Sequence, residues 1–435
     1  MGNNYIEMRL EDCMDAIIDY RGKTPKKVDN GIPLITAKII KNGRIQEVNE
    51  FIAINDYDDW MVRGLPLEGD VVLTTEAPLG EVAQLDSRKV ALAQRVITLR
   101  GKKGILENDY LLYLLQSSFV QNQLDGRASG STVTGIKQSE LREIILRLPP
   151  VSLQKSISHQ LKCLDKKIDL NNKINKTLEQ MSQTLFKSWF VDFDPVIDNA
   201  LDAGNPIPEA LQSRAELRQK VRNSTDFKPL PAEIRSLFPS EFEETELGWV
   251  PEGWETNRLE NILELAYGKA LKKTERIEGD YPVYGSGGVD GSHNEFLVKG
   301  PGIIVGRKGT VGSLYWENKD FYPIDTVFYV KPKKYFSLVY CYQLLKTLGL
   351  ENMNTDAAVP GLNRNNAYRL DVITPTQPII AQYTNIVQAF RYKMDSNHNE
   401  IDNLTNLRDT LLPKLISGEL SLEDLPDLIT DTEVA

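Results

Sequence analysis

The sequence predicts an α+β chain: a tandem duplication of two mixed α/β units joined by two long antiparallel α-helices of coiled-coil type. Three observations carry this prediction. The stretch Gly135–Pro149 recurs as Gly361–Pro375 at a gap-free offset of 226 residues. Each copy is followed by an apolar seam with steps of four and three, the spacing of one helix face. Each copy is preceded by short apolar runs between Gly, Pro and Asp, which read as strands closed by turns.

Within the repeat, Gly135 matches Gly361, Ile144 matches Leu370, Leu146 matches Val372 and Pro149 matches Pro375. The same offset sets Leu178 on Leu404 and Leu185-Phe186 on Leu411-Leu412. Earlier in each half the register drifts to 246–249, as Arg9-Leu10-Glu11 recurs at Arg258-Leu259-Glu260 and Pro33 at Pro282. Loop insertions account for such drift. The expected organisation is a first unit over 1–150, a helix over 151–190, an acidic Pro-rich connector over 191–247, a second unit over 248–375, a helix over 376–417 and an acidic tail over 418–435.

In chain order, Val71–Thr75 and Val96–Leu99 read as strands of the first unit, and Gly302–Val305 and Val327–Val330 as strands of the second. Segments 108–124 and 336–348 read as helices, and 127–135 and 351–361 as polar loops. The first seam is Ile157, Leu161, Leu164, Ile168, Asn171, Asn175, Leu178, Ser182, Leu185, Trp189. The second is Tyr383, Val387, Phe390, Met394, Asn397, Ile401, Leu404, Arg408, Leu411, Leu415. Each helix could pack only on its own unit; two copies at matching positions favour packing on each other. Polar residues in the middle of such a seam cost stability but set register, so Asn397 is expected close to Asn175 or Asn171. Residues 195–248 read as a partly ordered spacer.

With 41% apolar and 26% charged residues, the composition is that of an ordinary globular protein. No apolar run reaches the ~18 residues that span a bilayer, so no membrane association is expected. Cys13, Cys163 and Cys341 are odd in number and far apart, which argues against a disulfide framework and for a reducing cytoplasm. The net charge of −10 is unevenly placed: 192–248 carries 12 acids and 6 bases, and 418–435 carries 6 acids and no base. The remainder is weakly basic, which permits DNA binding.

A search for catalytic chemistry finds none. His159, His293 and His398 stand in unrelated contexts, and no metal-ligand spacing appears. Gly300–Thr310 lacks the glycine that precedes the lysine of a phosphate-binding loop, because Arg307 stands there. Gly285-Ser-Gly-Gly288 lacks a nucleotide fold's context, and no Gly-x-Ser-x-Gly or Asn/Asp-Pro-Pro-aromatic motif is present. What remains are Gly-rich basic loops in both halves: Arg21–Lys27, Lys269–Lys273 and Gly306–Gly309. Such loops suit phosphates, and Arg, Asn and Gln suit base edges; solvated turns are the plain alternative.

Leu185-Phe-Lys-Ser-Trp-Phe-Val-Asp-Phe-Asp-Pro195, Leu247-Gly-Trp-Val-Pro-Glu-Gly-Trp-Glu255 and Gly300–Gly312 with Pro323-Ile-Asp-Thr326 and Pro360–Arg364 give the chain a further feature. Through these motifs, and along essentially its whole length, it resembles the specificity subunits of type I restriction–modification systems. The first half departs from that pattern: it lacks the Pro-x-Gly-Trp opening and has Glu76-Ala-Pro-Leu-Gly80 where the second has Gly-Arg-Lys-Gly.

The resemblance implies a non-catalytic DNA-binding subunit that recognises a bipartite double-stranded site, one half per recognition domain, with the helix pair as ruler. A helix of roughly 50 Å compares with about 13–15 base pairs at ~3.4 Å each. It implies two modification (methyltransferase) subunits that methylate adenine, and restriction subunits that translocate and cut DNA. S-adenosylmethionine, ATP and Mg would sit on those partners and no cofactor on this chain. The implied DNA contacts are Lys23, Lys38, Arg95, Arg127, Ser131, Thr132, Thr134 and Lys137 in the first unit, and Lys269, Ser286, Arg307, Lys308, Asp325, Asn363 and Arg364 in the second. Arg307 is expected on a base and Lys308 on phosphate. Leu185, Phe186, Trp189, Phe190, Leu411, Leu412 and Leu415 are candidates for contacts with the modification subunits; sealing the intramolecular helix pair is the competing role. A two-domain protein–protein adaptor without sequence-specific DNA recognition is the main alternative, and an enzyme with an unfamiliar site between the units is a third.

Overall fold

The computed structural model describes residues 5–20, 24–130, 134–353 and 361–422. They form two compact units, Met1–Asn171 with Glu400–Ala435, and Asn172–Asn399.

In the first unit an antiparallel sheet has the strand order Met14–Asp19, Val96–Gly101, Val71–Thr75, Leu79–Gln84. All five residues of Val71–Thr75 are buried because both faces of the sheet are covered. Alternation sends Val71 and Leu73 into one core with Tyr110, Leu111 and Leu114, and Val72 into another with Leu34, Ile35 and Ile52. The second core is backed by a smaller sheet in which Ile32–Ile35 runs parallel to Ala91–Leu92. The segment expected as one helix over 108–124 is two, Asn108–Gln116 and Ser118–Arg127. Ser117 is extended, ends the first and accepts a hydrogen bond from the Val120 amide at the start of the second.

The second unit repeats this plan. Its sheet order is Leu263–Tyr267, Val327–Pro332, Gly302–Gly306, Leu314–Glu317. Ile303 and Val305 face the main core; Ile304 faces Tyr284, Phe321 and Val327. Again a parallel pair, Tyr281–Gly285 with Tyr322–Pro323, backs the smaller core. The closing hairpins also correspond: Ile6–Arg9 pairs with Ile145–Leu148, and Glu255–Arg258 with Asp371–Thr374.

The long helices are Val151–Phe190 and Gln377–Ser417, 40 and 41 residues. Both seams are kept from full exposure throughout. In the first unit Arg408 donates to Asp165 at 2.8 Å and Asn171 to Glu400 at 2.9 Å. In the second, Asn397 donates to Asn175 at 2.8 Å, Arg391 to Glu179 at 2.8 Å and Tyr383 to the Ser182 carbonyl at 3.3 Å. Within each unit, rising numbers on one helix meet falling numbers on the other, so the pairing is antiparallel.

Two expectations need correction. The connector is ordered: Asp194–Ala203 and Gln212–Arg222 are helices, and Phe242–Thr245 pairs with Gly248–Pro251, so the expected boundary at 247 falls inside a hairpin. Three of its acids are matched by bases at a constant separation of 20 residues. Asp194 pairs with Arg214 at 2.7 Å, Asp198 with Arg218 at 2.6 Å, and Asp202 with Arg222. Net charge concealed this ladder, because the i, i+4 spacing is shared by both helices and the surplus acids lie elsewhere.

The helix-end aromatics are also not exposed to a partner. Trp189 is 1% exposed, and with Phe186 and Phe190 it packs against Tyr340, Tyr383, Phe238 and Trp254 in the second unit's core. Leu412 and Leu415 lie in the first unit's core, and Leu185 and Leu411 pack on the core edges of their units. Packing in their own units keeps these large apolar surfaces out of water, fully for the aromatics, Leu412 and Leu415 and in part for Leu185 and Leu411.

Candidate nucleic-acid interface

In the second unit the predicted residues converge on one rim, where the strand Gly302–Gly306 ends. Gly306 has no space for a side chain: an added Cβ would meet the Thr310 carbonyl oxygen at 2.1 Å. The loop therefore turns tightly, and Arg307 and Lys308 both donate their amides to the Thr326 carbonyl, at 2.9 and 3.1 Å. Leu362 donates its amide to the Arg307 carbonyl at 2.8 Å, and Lys308 bridges to Gly361. This brings Asn363 and Arg364 alongside. Asn363 caps the helix Arg364–Tyr368 by accepting from the Asn365 and Asn366 amides. Ser286 closes the other side by accepting from the Thr310 amide at 3.4 Å. Lys269 is tied to the same corner by its amide on the Pro323 carbonyl.

The rim's cations are not neutralised by ion pairs, although the exposed carboxylate of Asp325 stands beside them. Arg307 donates to the Asp325 carbonyl oxygen at 2.9 Å, not to its carboxylate. Its guanidinium lies 4.9 Å from the Tyr267 ring centre, and that of Arg364 lies 4.6 Å from the same ring. Tyr267 is thus flanked by two guanidiniums while 48% exposed. Among the described residues, Arg307, Lys308 and Arg364 make no ion pair. The bases of the preceding loop differ. Lys273 and Arg276 both pair with Asp290, and those contacts hold its carboxyl below the usual carboxylate range.

Sequence reading missed Tyr267. Leu263 and Leu265 point inward on its strand, so alternation also puts Tyr267 inward; its exposure comes from the strand ending there. A large aromatic directly before Gly268-Lys269 was the available signal.

The first unit carries the same main-chain frame with different side chains. Thr75 donates its amide to the Arg95 carbonyl at 3.0 Å, Ile136 donates to the Thr75 carbonyl at 3.0 Å, and Glu76 bridges to Gly135. Thr75 thus stands where Arg307 stands in the second unit, and Glu76 where Lys308 stands. Arg95 pairs with Glu76 at 2.7 Å and, with Lys38, lines a shallow cleft of about 160 Å³. Thr134 and Lys137 flank the bridged Gly135 and are exposed. Arg127 stands apart from the cleft and pairs with Glu140 at 3.3 Å. Lys23, Ser131 and Thr132 lie outside the described residues.

The family model described as the type I restriction modification DNA specificity domain matches residues 4–180 and 251–405, which is most of the chain in two copies. The chain belongs to this family. Its two matched segments each end inside one of the paired helices, so the family's unit is a recognition domain with part of its helix. The chain is 26% identical over 379 residues to the type I restriction enzyme HindI specificity subunit of Haemophilus influenzae, covering 77% of this chain and 82% of that one. It is 26% identical over 373 residues to the MjaIX specificity subunit of Methanocaldococcus jannaschii, covering 82% and 79%. Among solved structures, the S subunit of a type I restriction-modification system from M. genitalium matches in fold, with a TM-score of 0.55 at 18% identity over 95% of this chain and 97% of that one. Among the described residues, no helix is long and apolar enough to cross a membrane.

Proposed function

We propose that this chain is the non-catalytic, DNA-reading subunit of a type I restriction–modification complex and recognises a bipartite double-stranded site, one half with each unit. The observation that carries this reading is the second unit's rim: Arg307, Lys308 and Arg364, in no ion pair among the described residues, grouped around an exposed Tyr267 on a tightly bonded backbone. Cations set on a rigid frame suit phosphate contact and base-edge reading. The adaptor alternative gives no reason for that grouping, and family membership disfavours it.

In this reading two modification subunits bring S-adenosylmethionine and methylate an adenine in each half-site, which requires the base to leave the stack. Restriction subunits bring ATP and Mg for translocation and cutting. The complex works where the genome is, in the cytoplasm. The test is a base-resolution map of adenine methylation in the host with and without the gene. Loss of one bipartite motif on deletion is the expected result. An unchanged map, with the modification subunit still expressed, overturns the reading.

A further inference from the structure

We infer that Glu76 and Arg95 together form the base-reading element of the first unit, selecting one base pair in its half-site. The inference rests on the function proposed above and goes beyond it by naming a residue that sequence reading passed over.

The two units share a backbone frame at the rim, described by three matched contacts. On that frame the second unit carries Lys308 and the first carries Glu76. A lysine there suits phosphate. A carboxylate at the same place is repelled by phosphate, so it is tolerated on a DNA-facing rim only where it meets a donor. In the major groove the donors are the N4 amino group of cytosine and the N6 amino group of adenine, and Glu or Asp accepting from cytosine N4 is a standard pairing. Arg95, 2.7 Å from Glu76, carries the complementary function, since arginine donates in a bidentate manner to guanine O6 and N7. One carboxylate and one guanidinium side by side match the two edges of a single C·G pair.

The geometry makes the pair a reader and not a structural brace. Both side chains are exposed, 47% for Arg95 and 40% for Glu76, where an ion pair adds little to stability. Their backbone is nonetheless fixed. Thr75 is bonded to Arg95 and Ile136, and Gly135 lies so close that an added Cβ would stand 3.0 Å from both the Glu76 Cβ and the Thr75 carbonyl oxygen. The pair is thus rigidly placed but poorly solvated by protein partners, and it can exchange its internal contact for contacts to bases. The adjoining cleft, walled by Leu34, Ala77, Ala93 and Lys38, leaves room beside Arg95 for a base edge.

The test is selection from DNA libraries by the assembled complex of this chain with its modification subunits, with the first and second half-sites randomised in turn. Wild-type complex, E76Q, R95A and, as a comparison in the other unit, K308A are used. E76Q, whose amide donates as well as accepts and so admits adenine beside cytosine, and R95A are expected to lose roughly ten- to hundredfold discrimination at one base position of one half-site, with the other half-site still selected. K308A is expected to weaken binding to every library member while the same bases are still selected in both half-sites. Thermal unfolding of E76Q should match wild type. An unchanged selected sequence for E76Q and R95A overturns the inference, as does a loss spread over both half-sites. If the wild-type complex itself selects no bipartite sequence, the proposed function fails instead.

Discussion

Glu179 on the first long helix offers the most quantitative test of how the second unit is held together. Its carboxylate accepts from Arg391 at 2.8 Å, from Lys346 at 2.5 Å and from Gln343 at 3.2 Å. Burial alone raises its pKa, but the Arg391 charge and the Lys346 hydrogen bond outweigh that and bring it from 4.5 down to about 2. A shift of that size corresponds to about 3 kcal/mol at 1.36 kcal/mol per unit, and about 2 kcal/mol after allowance for partial solvent access. The sign follows from the folded value lying below the unfolded one: the stabilisation is complete above about pH 4.5 and is lost as pH falls toward 2. Glu179→Gln keeps an acceptor oxygen but removes the charge opposite Arg391, which is itself only 5% exposed and packed against the Trp316 and Tyr342 rings at 4.5 and 4.9 Å. We expect a loss of ~2–4 kcal/mol at neutral pH. Four of the five tryptophans, Trp189, Trp249, Trp254 and Trp316, lie in this unit, so urea unfolding followed by tryptophan fluorescence reports on it. The gap between wild type and E179Q should be flat above pH 5 and close as pH drops. A gap under 0.5 kcal/mol, or one that persists unchanged at pH 3, would show that the cluster is not stabilised by the Glu179 charge.

Three further outcomes are expected. Lys308→Ala should reduce DNA affinity for all sequences and shrink the salt slope by about 0.9, whereas Arg307→Ala should cost ~1–3 kcal/mol and relax one base position; fluorescence anisotropy across a salt series separates them. Asp198→Asn removes the carboxylate charge that both Arg218 bonds meet in a buried ladder rung, while the Arg222 bond to the residue 198 carbonyl stays, and should destabilise the second unit by ~3 kcal/mol in denaturant titration. Asn397→Leu should cost ~1–3 kcal/mol because Asn175 loses its partner, while the double substitution with Asn175→Leu should recover most of that loss, since two apolar groups replace two polar ones.

The parts of the fold that were legible in the sequence are those in which side-chain period and burial coincide. The helix seams could be read because every third or fourth residue faces the partner helix, and Asn397 stood out as polar in an apolar row. The strands Val71–Thr75 and Gly302–Gly306 could be read as unbroken apolar runs, since both their faces are covered. The connector was misread because composition averages over pairs: Asp194, Asp198 and Asp202 register as negative charge until Arg214, Arg218 and Arg222 are set beside them. Phe186, Trp189 and Phe190 were ambiguous because an aromatic cluster at a helix end has the same sequence signature whether it meets a partner or its own core. At the rim, Arg307 and Lys308 were visible through their flanking glycines. Glu76 is legible in the sequence only as a departure from the second half, since its meaning depends on contacts with Arg95 and Gly135, 19 and 59 positions away.

Because a shared backbone carries unlike side chains in the two units, the frame itself should be more sensitive to substitution than the residues it presents. Gly306 tests this. Its conformation is one that any residue adopts, so the constraint is space: a Cβ there meets the Thr310 carbonyl oxygen at 2.1 Å and the Ser313 hydroxyl at 2.3 Å. The carbonyl belongs to the loop that holds Arg307 and Lys308, and it cannot yield without opening the contact between the Gly312 amide and the Gly306 carbonyl at 2.9 Å. Gly306→Ala should therefore cost ~1–3 kcal/mol, as overpacking does, and displace both cations together. Gly287, on the neighbouring turn, has nothing within 4 Å of an added Cβ, so Gly287→Ala should leave the rim in place. In library selection by the assembled complex, G306A should lose the second unit's half-site and keep the first, while G287A keeps both. Equal behaviour of the two variants would mean that recognition does not depend on the backbone frame, and the correspondence of Lys308 with Glu76 would lose its force.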